Sequence, residues 1–522
     1  MSLKIKAGAS ETEIEGGFGH NLLELARRAG VQANARCAGE GVCRGCTVIL
    51  ESGQFVVANQ RVTASPDQPC SVLSCQTRLA SHDARIRFPR TSLVEKEAKI
   101  DEDFCLEHFQ HDAQTRKFVI RVPKSDQMVQ TCCWDAISHE LWLKSGHQHY
   151  QVPVECLRML PEALSRGGRQ LTVTVGRIGK GWSVLDIEPG DTSESHFGVA
   201  VDVGTTTVVA MLVDLNRGRV LKKASSYNQQ IRTADDVASR ITYCRSAENV
   251  RHLQRLVVQD TINELIETIC GELAISADRI SRISVSGNTV MTHLLLGISP
   301  ESIGQLPFRP VANSYSEYRA RDLQLGIHSL GIVDVIPSVS GYVGGDIVSD
   351  IYVARLSDRG DPTLLVDIGT NGEIVYAEGG QYIACATAAG PAFEGYGTAH
   401  GCRAATGAIE HIDFGASLKS ETFETRVIGR GPATGLCGSA LIDFIACGMR
   451  SGLINRMGRF NIERLRDAGR HLRIEEMCGV VHACVVVPAE QSGNGEPIYV
   501  SEADVAQILK AKAAIYAGMK TL

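Results

Sequence analysis

No apolar run in this chain approaches the roughly 20 residues of a membrane-spanning helix; the longest are strand-like pieces such as that around Val485–Val487. The amino-terminal MSLKIKAGASETEIEGG lacks the charged-then-apolar order of a secretory signal, so a cytoplasmic location is expected. An excess of positive charge is missing too. A formal net charge of -6 and no basic patch of useful size argue against nucleic acid and against a membrane surface as partners. Aromatics are sparse at 5%, and 16 prolines are far outnumbered by 51 glycines. With 44% hydrophobic and 21% charged residues, this composition excludes a disordered chain and describes globular domains with many tight turns. What the chain does have is length: 522 residues call for roughly two to four domains.

It also has 17 cysteines, which in a small secreted chain would mean disulfides. Spread over a large unsecreted one they stay reduced, and clustered ones become metal-ligand candidates. In CAGEGVCRGC, Cys37, Cys43 and Cys46 follow C-x5-C-x2-C spacing, and Cys75 follows in VLSCQT. That is close to the plant-type C-x4-C-x2-C…C pattern of a 2Fe-2S cluster. Thiolates so closely spaced must converge on two irons, and Gly39, Gly41 and Gly45 tolerate the unusual dihedrals of such a wrap. A zinc site would usually show two C-x2-C pairs where this chain has one; four unrelated buried thiols are the plainer alternative. Cys70, shortly before Cys75, competes as fourth ligand. The remaining cysteines, adjacent Cys132 and Cys133 included, lack the spacing for a 4Fe-4S cluster and read as small buried hydrophobes.

The flanks of the cysteine loop are a strand at Leu3 and Ile5, a helix in GHNLLELARRAG, and a strand in TVILESG. Leu22, Leu25, Ala26 and Ala29 recur at helical spacing and predict one buried stripe. That order resembles the β-grasp ferredoxin domain over residues 1–92, and the LSCQT context resembles that family's fourth-ligand site, which favours Cys75. A cluster of this kind passes one electron at a time, plant-type examples lying near about -400 mV.

Residues 93–110, LVEKEAKIDEDFCLEHFQ, are charge-rich and predict a linker or a short exposed helix. Over residues 111–191, FVIRVP, QLTVTVGRIG and WSVLDIEPG read as strands, with a helix at CCWDAISHELWLK: a small α+β domain. GRIGKGWS lacks both the G-x-x-x-x-G-K-[ST] spacing and the following helix of a phosphate loop, so a turn between strands is expected there.

Residues 196–522 hold an internal echo, FGVAVDVGTTTVVAMLVDL and TLLVDIGTNGEIVYAEGG. Each copy is an apolar strand ending in an aspartate, Asp202 or Asp367. A glycine turn follows, Gly204 with Thr205, Thr206 and Thr207, or Gly369 with Thr370, Asn371 and Gly372, and then a second strand. In such a hairpin the turn N–H groups and hydroxyls can face phosphate, while the carboxylate can hold Mg2+ through water. GLCGSALIDFIA sets Gly435, Gly438 and Ser439 at a turn into a helix, whose N–H groups can flank an anion or merely pack the helix start. A long amphipathic helix is predicted from about Val250 to Leu273, with Leu253, Leu256, Val257, Leu265, Ile266 and Ile269 on one face.

Two such hairpins in one register resemble the acetate and sugar kinase, heat-shock chaperone and actin superfamily, in which paired subdomains close on ATP. Here the lobes would cover about 196–355 and 356–522, making the whole a multidomain α/β and α+β protein. The resemblance then narrows. NQQIRTADDVASRI, SVSGNTVMTHLLLGI, PSVSGYVGGDI, VDIGTNGEI, CATAAGPAFEG and GLCGSALID, behind a 2Fe-2S domain, are similar in kind and order to the reductive activators of corrinoid-dependent enzymes.

The resemblance implies an ATP-dependent electron donor that returns a corrinoid protein of a methyl-transfer system from Co(II) to Co(I). An upstream low-potential donor would feed it, and a second copy of the chain is a candidate partner. Each 100 mV of uphill transfer costs about 2.3 kcal/mol per electron, which nucleotide binding can offset only by favouring one state of the partner. It implies Cys37, Cys43, Cys46 and Cys75 as cluster ligands, and Asp202, Gly204, Thr205, Thr206, Asp367, Gly369, Thr370 and Asn371 for nucleotide and Mg2+. Asp346 and Glu373 become candidates for orienting water, with a structural carboxylate as the simpler account of each. PSVSGYVGGD is a polar glycine loop that would face the partner or merely connect the lobes. In the family a strand-turn follows a helix like VAQILKAKAAIYAGMKTL, so a missing carboxy-terminal end is expected. Competing readings are an electron carrier whose actin-like part only docks partners, a redox-regulated small-molecule kinase, and an activator of radical dehydratases. The last resembles a shared 4Fe-4S site, which this spacing argues against.

Overall fold

The structure, a computed structural model, describes residues 2–7, 10–31, 33, 46–89, 92–93, 110–122, 132–234, 236–395, 397–402, 404–414, 423–476 and 479–522. Cys37 and Cys43, with the predicted linker from 94 to 109, lie outside the described residues. The chain divides into two compact units, residues 1–99 with 356–522, and residues 100–355. Among the described residues no helix is long and apolar enough to cross a membrane.

In the amino-terminal part of the first unit the strands are β1 (Ser2–Ala7), β2 (Ser10–Glu15), β3 (Thr47–Val57), β4 (Gln60–Ala64), β5 (Cys70–Leu73), β6 (Thr77–Leu79) and β7 (Ala84–Phe88). They form one sheet in the order β2-β1-β7-β3-β4, with β5 and β6 also paired to β3. Period-two alternation sends Leu3 and Ile5, Val48 and Leu50, and Ile86 and Phe88 into one core. Helix α1 (Leu22–Arg28) starts at Asn21, whose side chain caps the Leu23 and Glu24 N–H groups. It buries Leu22, Leu23, Leu25 and Ala26. Ala29, the C-cap, continues that stripe, partly buried against the same core.

The second unit begins with β8 (Thr115–Arg121), α2 (Cys133–Ser145), β9 (Tyr150–Gln151), α3 (Val154–Gly167), β10 (Gln170–Ile178) and β11 (Gly181–Pro189), the sheet running β8-β10-β11-β9. The GRIGKGWS segment is the turn of the β10–β11 hairpin, with Ile178 opposite Gly181.

Next come β12 (Phe197–Val203), β13 (Thr207–Asp214), β14 (Arg219–Tyr227), α4 (Val237–Tyr243), α5 (Ala247–Val257), α6 (Glu264–Leu273), β15 (Ile280–Gly287), α7 (Thr289–Leu295), β16 (Tyr318–Arg319), β17 (Ile332–Val335) and α8 (Gly345–Val353). Their sheet runs β14-β13-β12-β15-β17-β16, with β12, β15 and β17 mutually parallel. The single helix expected from Val250 to Leu273 is corrected here: α5 and α6 are joined by a π-helical turn, Val258–Asn263. The wider turn resets the helix face, so Val258 and Ile262 are buried along with Leu253, Leu256, Val257, Leu265, Ile266 and Ile269.

The carboxy-terminal part of the first unit holds β18 (Thr363–Ile368), β19 (Gly372–Glu378) and β20 (Gln381–Thr387) in one three-stranded sheet. Then follow β21 (Ala408–Asp413), β22 (Glu424–Val427), β23 (Gly435–Leu436), α9 (Gly438–Arg450), α10 (Ile462–Asp467), β24 (His471–Glu476), β25 (Gly479–Val487), β26 (Ile498–Ser501) and α11 (Glu502–Thr521). α11 starts in a capping box between Ser501 and Asp504 and lays Ile515 against Ile374 and Ala389.

Candidate functional sites

Strand pairing brings two of the predicted ligand cysteines together. β3 and β5 run antiparallel with Thr47 opposite Leu73, so the residue before one strand, Cys46, meets the short 3-10 turn after the other, Ser74–Gln76. The Ser74 N–H donates to the Cys46 carbonyl at 3.0 Å, and Asn21 Nδ2 donates to the Cys75 carbonyl at 2.7 Å. Cys46 is fully buried. A hydrogen bond with the Cys75 side chain, outweighing burial, holds the Cys46 thiol down to about 6. Such a pair suits thiolate ligation. Cys70 lies opposite Leu50, four residues further along β3 than Cys46, or roughly 13 Å at the usual strand rise.

In the second unit the parallel strands end side by side: Asp202 pairs with Ser286 and Val203 with Gly287. The carboxyl ends of parallel strands are where open α/β sheets bind ligands. Asp202 is exposed, on the face opposite Val199, Val201 and Val203. The turn from Gly204 to Thr206 leads into Thr207, the first residue of β13. Asn228 donates to the Gly204 carbonyl through Nδ2 at 3.0 Å and to the Thr206 carbonyl through its backbone N–H at 2.9 Å. Asn288 caps α7, accepting from the Met291 N–H at 3.0 Å, and its amide donates to Thr205 Oγ1 at 2.9 Å. α8 is fastened to the same strand end through Ser349 and Ser286, whose hydroxyls stand 2.9 Å apart. Asp346, in the first turn of α8, accepts the Ile347 N–H at 2.9 Å. Ser340, inside PSVSGYVGGD, accepts from Thr289 Oγ1 at 2.6 Å.

In the first unit Asp367 stands directly across from Glu373 in the β18–β19 ladder, so both side chains share a face. Burial pushes the Asp367 carboxyl above its ordinary range, opposed by the Ile368 N–H. Two carboxylates on one face offer oxygens that a hard cation favours. The Gly369 N–H bonds the Asn371 carbonyl at 2.9 Å, closing the turn, and Gly372 opens β19. Thr370 Oγ1 donates to Glu394, in the 3-10 turn Pro391–Glu394. That turn also meets the start of α9, where a Cβ on Gly438 would overlap the Phe393 carbonyl oxygen. Gly435 lies in β23. Ser439 gives its hydroxyl to the Glu410 carbonyl at 2.6 Å, packing the helix start against β21.

Thr205, Asn288 and the start of α8 are thus assembled in one unit, and Thr370, Glu394 and Gly438 in the other. Asn288 and Glu394 escaped the sequence reading. Asn288 carried a usable signal, a capping residue between a strand and a helix in SGNTV.

Residues 6–80 match a 2Fe-2S iron-sulfur cluster binding domain. Residues 106–194 match the RACo linker region, 197–359 the RACo middle region, and 361–522 the C-terminal domain of RACo, the ASKHA domain. The chain is similar to a solved reductive activator for corrinoid, iron-sulfur protein: 33% identity over 99% of this chain and 83% of that one, with a TM-score of 0.72. It is 28% identical to the corrinoid activation enzyme RamQ of Eubacterium limosum, over 97% of this chain and 81% of that protein. It is 26% identical, over 41% of this chain and 40% of that protein, to the Co(II) methylated amine-specific corrinoid protein reductase of Methanosarcina barkeri.

Proposed function

The chain belongs to the RACo family of reductive activators, and on that premise we propose how its residues share the work. It is a corrinoid activation enzyme, a reductase of Co(II) corrinoid proteins with a 2Fe-2S domain and an ASKHA ATPase domain. Cys46 and Cys75, with Cys37 and Cys43, are the proposed cluster ligands. When bound there, the cluster supplies electrons singly. The observation that carries this reading is the strand pairing that sets buried Cys46 beside the Ser74–Gln76 turn holding Cys75, since cluster ligands must converge from separate segments.

Asp202, Gly204, Thr205, Thr206 and Thr207 in one unit, and Asp367, Gly369, Thr370 and Asn371 in the other, are the proposed nucleotide residues. Asp367 and Glu373 are the proposed anchor for Mg2+, held through water. Gly435 and Gly438 shape the start of α9, and Asp346 orients water. ATP, when bound, supplies the free energy that favours one state of the partner over the other. The partner is a corrinoid protein of a methyl-transfer system, Co(II) is the substrate, and a low-potential donor refills the chain. The setting is the cytoplasm, where thiols stay reduced.

The test is anaerobic optical spectroscopy of the reduced protein mixed with a Co(II) corrinoid protein, with and without MgATP. Co(I) should form only with MgATP. Equal Co(I) yield without nucleotide would reduce the protein to a plain electron carrier, and none with any corrinoid protein would reject the reading.

A further inference from the structure

Of the segment NQQIRTADDVASRI only Asn228 has a role above, yet its side chains are among the most buried polar groups of the molecule. Asn228, Gln230 and Arg240 are each fully buried. A guanidinium taken out of water is costly unless its planar fork is filled with acceptors. Arg240, on α4, fills it in several directions: Nε donates to the Ala234 carbonyl at 3.0 Å, and Nη1 to Gln230 Oε1 at 2.9 Å. Nη1 also meets Met291 Sδ at 2.8 Å, and Nη2 donates to the Thr205 carbonyl at 2.6 Å. Gln230 is fixed in turn, its Nε2 donating to the Leu253 carbonyl at 2.9 Å and its N–H to Asn228 Oδ1 at 3.1 Å. Asn228 then holds the Gly204 carbonyl.

The consequence follows from peptide geometry. In a trans peptide the C=O of one residue and the N–H of the next point in opposite directions. With the Gly204 carbonyl drawn inward by Asn228 and the Thr205 carbonyl drawn inward by Arg240, the N–H groups of Thr205 and Thr206 point outward. Two successive amides turned the same way make an anion-binding concavity.

We propose that Arg240, with Asn228 behind it, is a positioning residue for nucleotide phosphate: it locks the Gly204–Thr206 turn with its amides facing out, without touching the nucleotide. A lysine cannot do the same, because its single nitrogen cannot meet the Ala234, Gln230 and Thr205 oxygens in one plane. The inference rests on reading Gly204–Thr206 as a nucleotide loop.

The test uses the full chain with its cluster assembled. ATP, tripolyphosphate and adenosine are titrated, each with Mg2+, against wild type, Arg240→Met and Arg240→Lys. Arg240→Met removes the fork while keeping an unbranched buried chain. It should weaken ATP and tripolyphosphate at least tenfold in parallel, leave adenosine within twofold, and keep the cluster's visible spectrum. Arg240→Lys should lie between. Wild-type ATP affinity in Arg240→Met, or a loss shared equally by adenosine, overturns the proposal. A wild-type chain that binds neither ATP nor tripolyphosphate rejects the nucleotide loop itself. Should both variants fail to fold, hydrogen exchange on the wild type decides. The peptide spanning residues 203–207 should exchange at least tenfold more slowly with saturating tripolyphosphate, and unchanged exchange overturns the proposal.

Discussion

His196 sits just before β12, 1% exposed, with Nδ1 3.2 Å from Asn216 Oδ1 and Nε2 buried without a hydrogen-bond partner. Burial, aided by Lys117 and His111 and opposed by Asn216 and Asp214, pushes its imidazole from 6.5 down to about 4. The ring is therefore neutral in the fold, with Nδ1–H donating to Asn216. As pH falls, the unfolded chain takes up the proton first, so stability is intact above about pH 6.5 and drains away toward pH 4. The loss from this one group reaches about 3 kcal/mol. Denaturant unfolding at a series of pH values should show that slope, and His196→Gln should flatten it; an unchanged slope would place the acid sensitivity elsewhere. No sequence pattern marked His196, because burial of a lone histidine depends on packing between segments far apart in the chain.

At the scale of elements, the turn Pro391–Glu394 ties the second D-x-G-T hairpin to α9: Glu394 takes the Thr370 hydroxyl, and Phe393 abuts Gly438. Gly438→Ala would drive a methyl group into the Phe393 carbonyl. The expected cost is about 3 kcal/mol, together with weaker MgATP binding as Thr370 loses its anchor. Thermal unfolding and nucleotide titration check both, and an unaltered variant would free α9 from the hairpin. Much at this scale was legible. The hairpins announced themselves because D-x-G-T occurs twice, and α9 because its glycines precede an apolar run. Glu394 was not, since nothing local links it to Thr370. The π turn at Val258–Asn263 was hidden for a different reason: it changes the pitch of the helix while leaving an apolar pattern that still looks helical. α3 was overlooked although Cys156, Leu160 and Ala163 mark its buried face.

At the scale of the molecule, residues 110–191 and 197–355 make one unit rather than two loosely joined domains, and the reason is a row of arginines. Arg282 grips Asp334 with Nε and Nη2 at 2.5 and 2.6 Å, while its Nη1 reaches the Gln114 and Arg177 carbonyls at 3.3 Å. Arg319 donates to Ser183 Oγ at 2.8 Å, Arg321 pairs with Glu155 at 2.6 Å, and Arg279 joins Lys117 on buried Glu188. Apolar packing continues the seam: Leu330 belongs to the core around β10 and β11. Gly176 packs close against the Ile332, Leu185 and Thr115 side chains, which a Cβ there would displace. Arg279, Ser281 and Arg282 flank or open β15, whose other end, Gly287, leads into Asn288 and its bond to Thr205. One strand thus joins the arginine seam to the Gly204–Thr206 turn. Composition could not reveal this, because the contacts join segments far apart in the chain, whereas the shift from strand pairs to glycine-punctuated hairpins suggested a boundary. If the seam is what unites the two regions, they unfold together. Hydrogen exchange in increasing denaturant should give residues 115–189 and 197–335 the same midpoint in the wild type. Arg282→Ala strands Asp334 and frees two carbonyls, costing about 3 kcal/mol, and it should separate the two midpoints, with residues 115–189 opening first. Coincident midpoints in the variant would assign the union to Leu330 and Ile332 instead of the arginines.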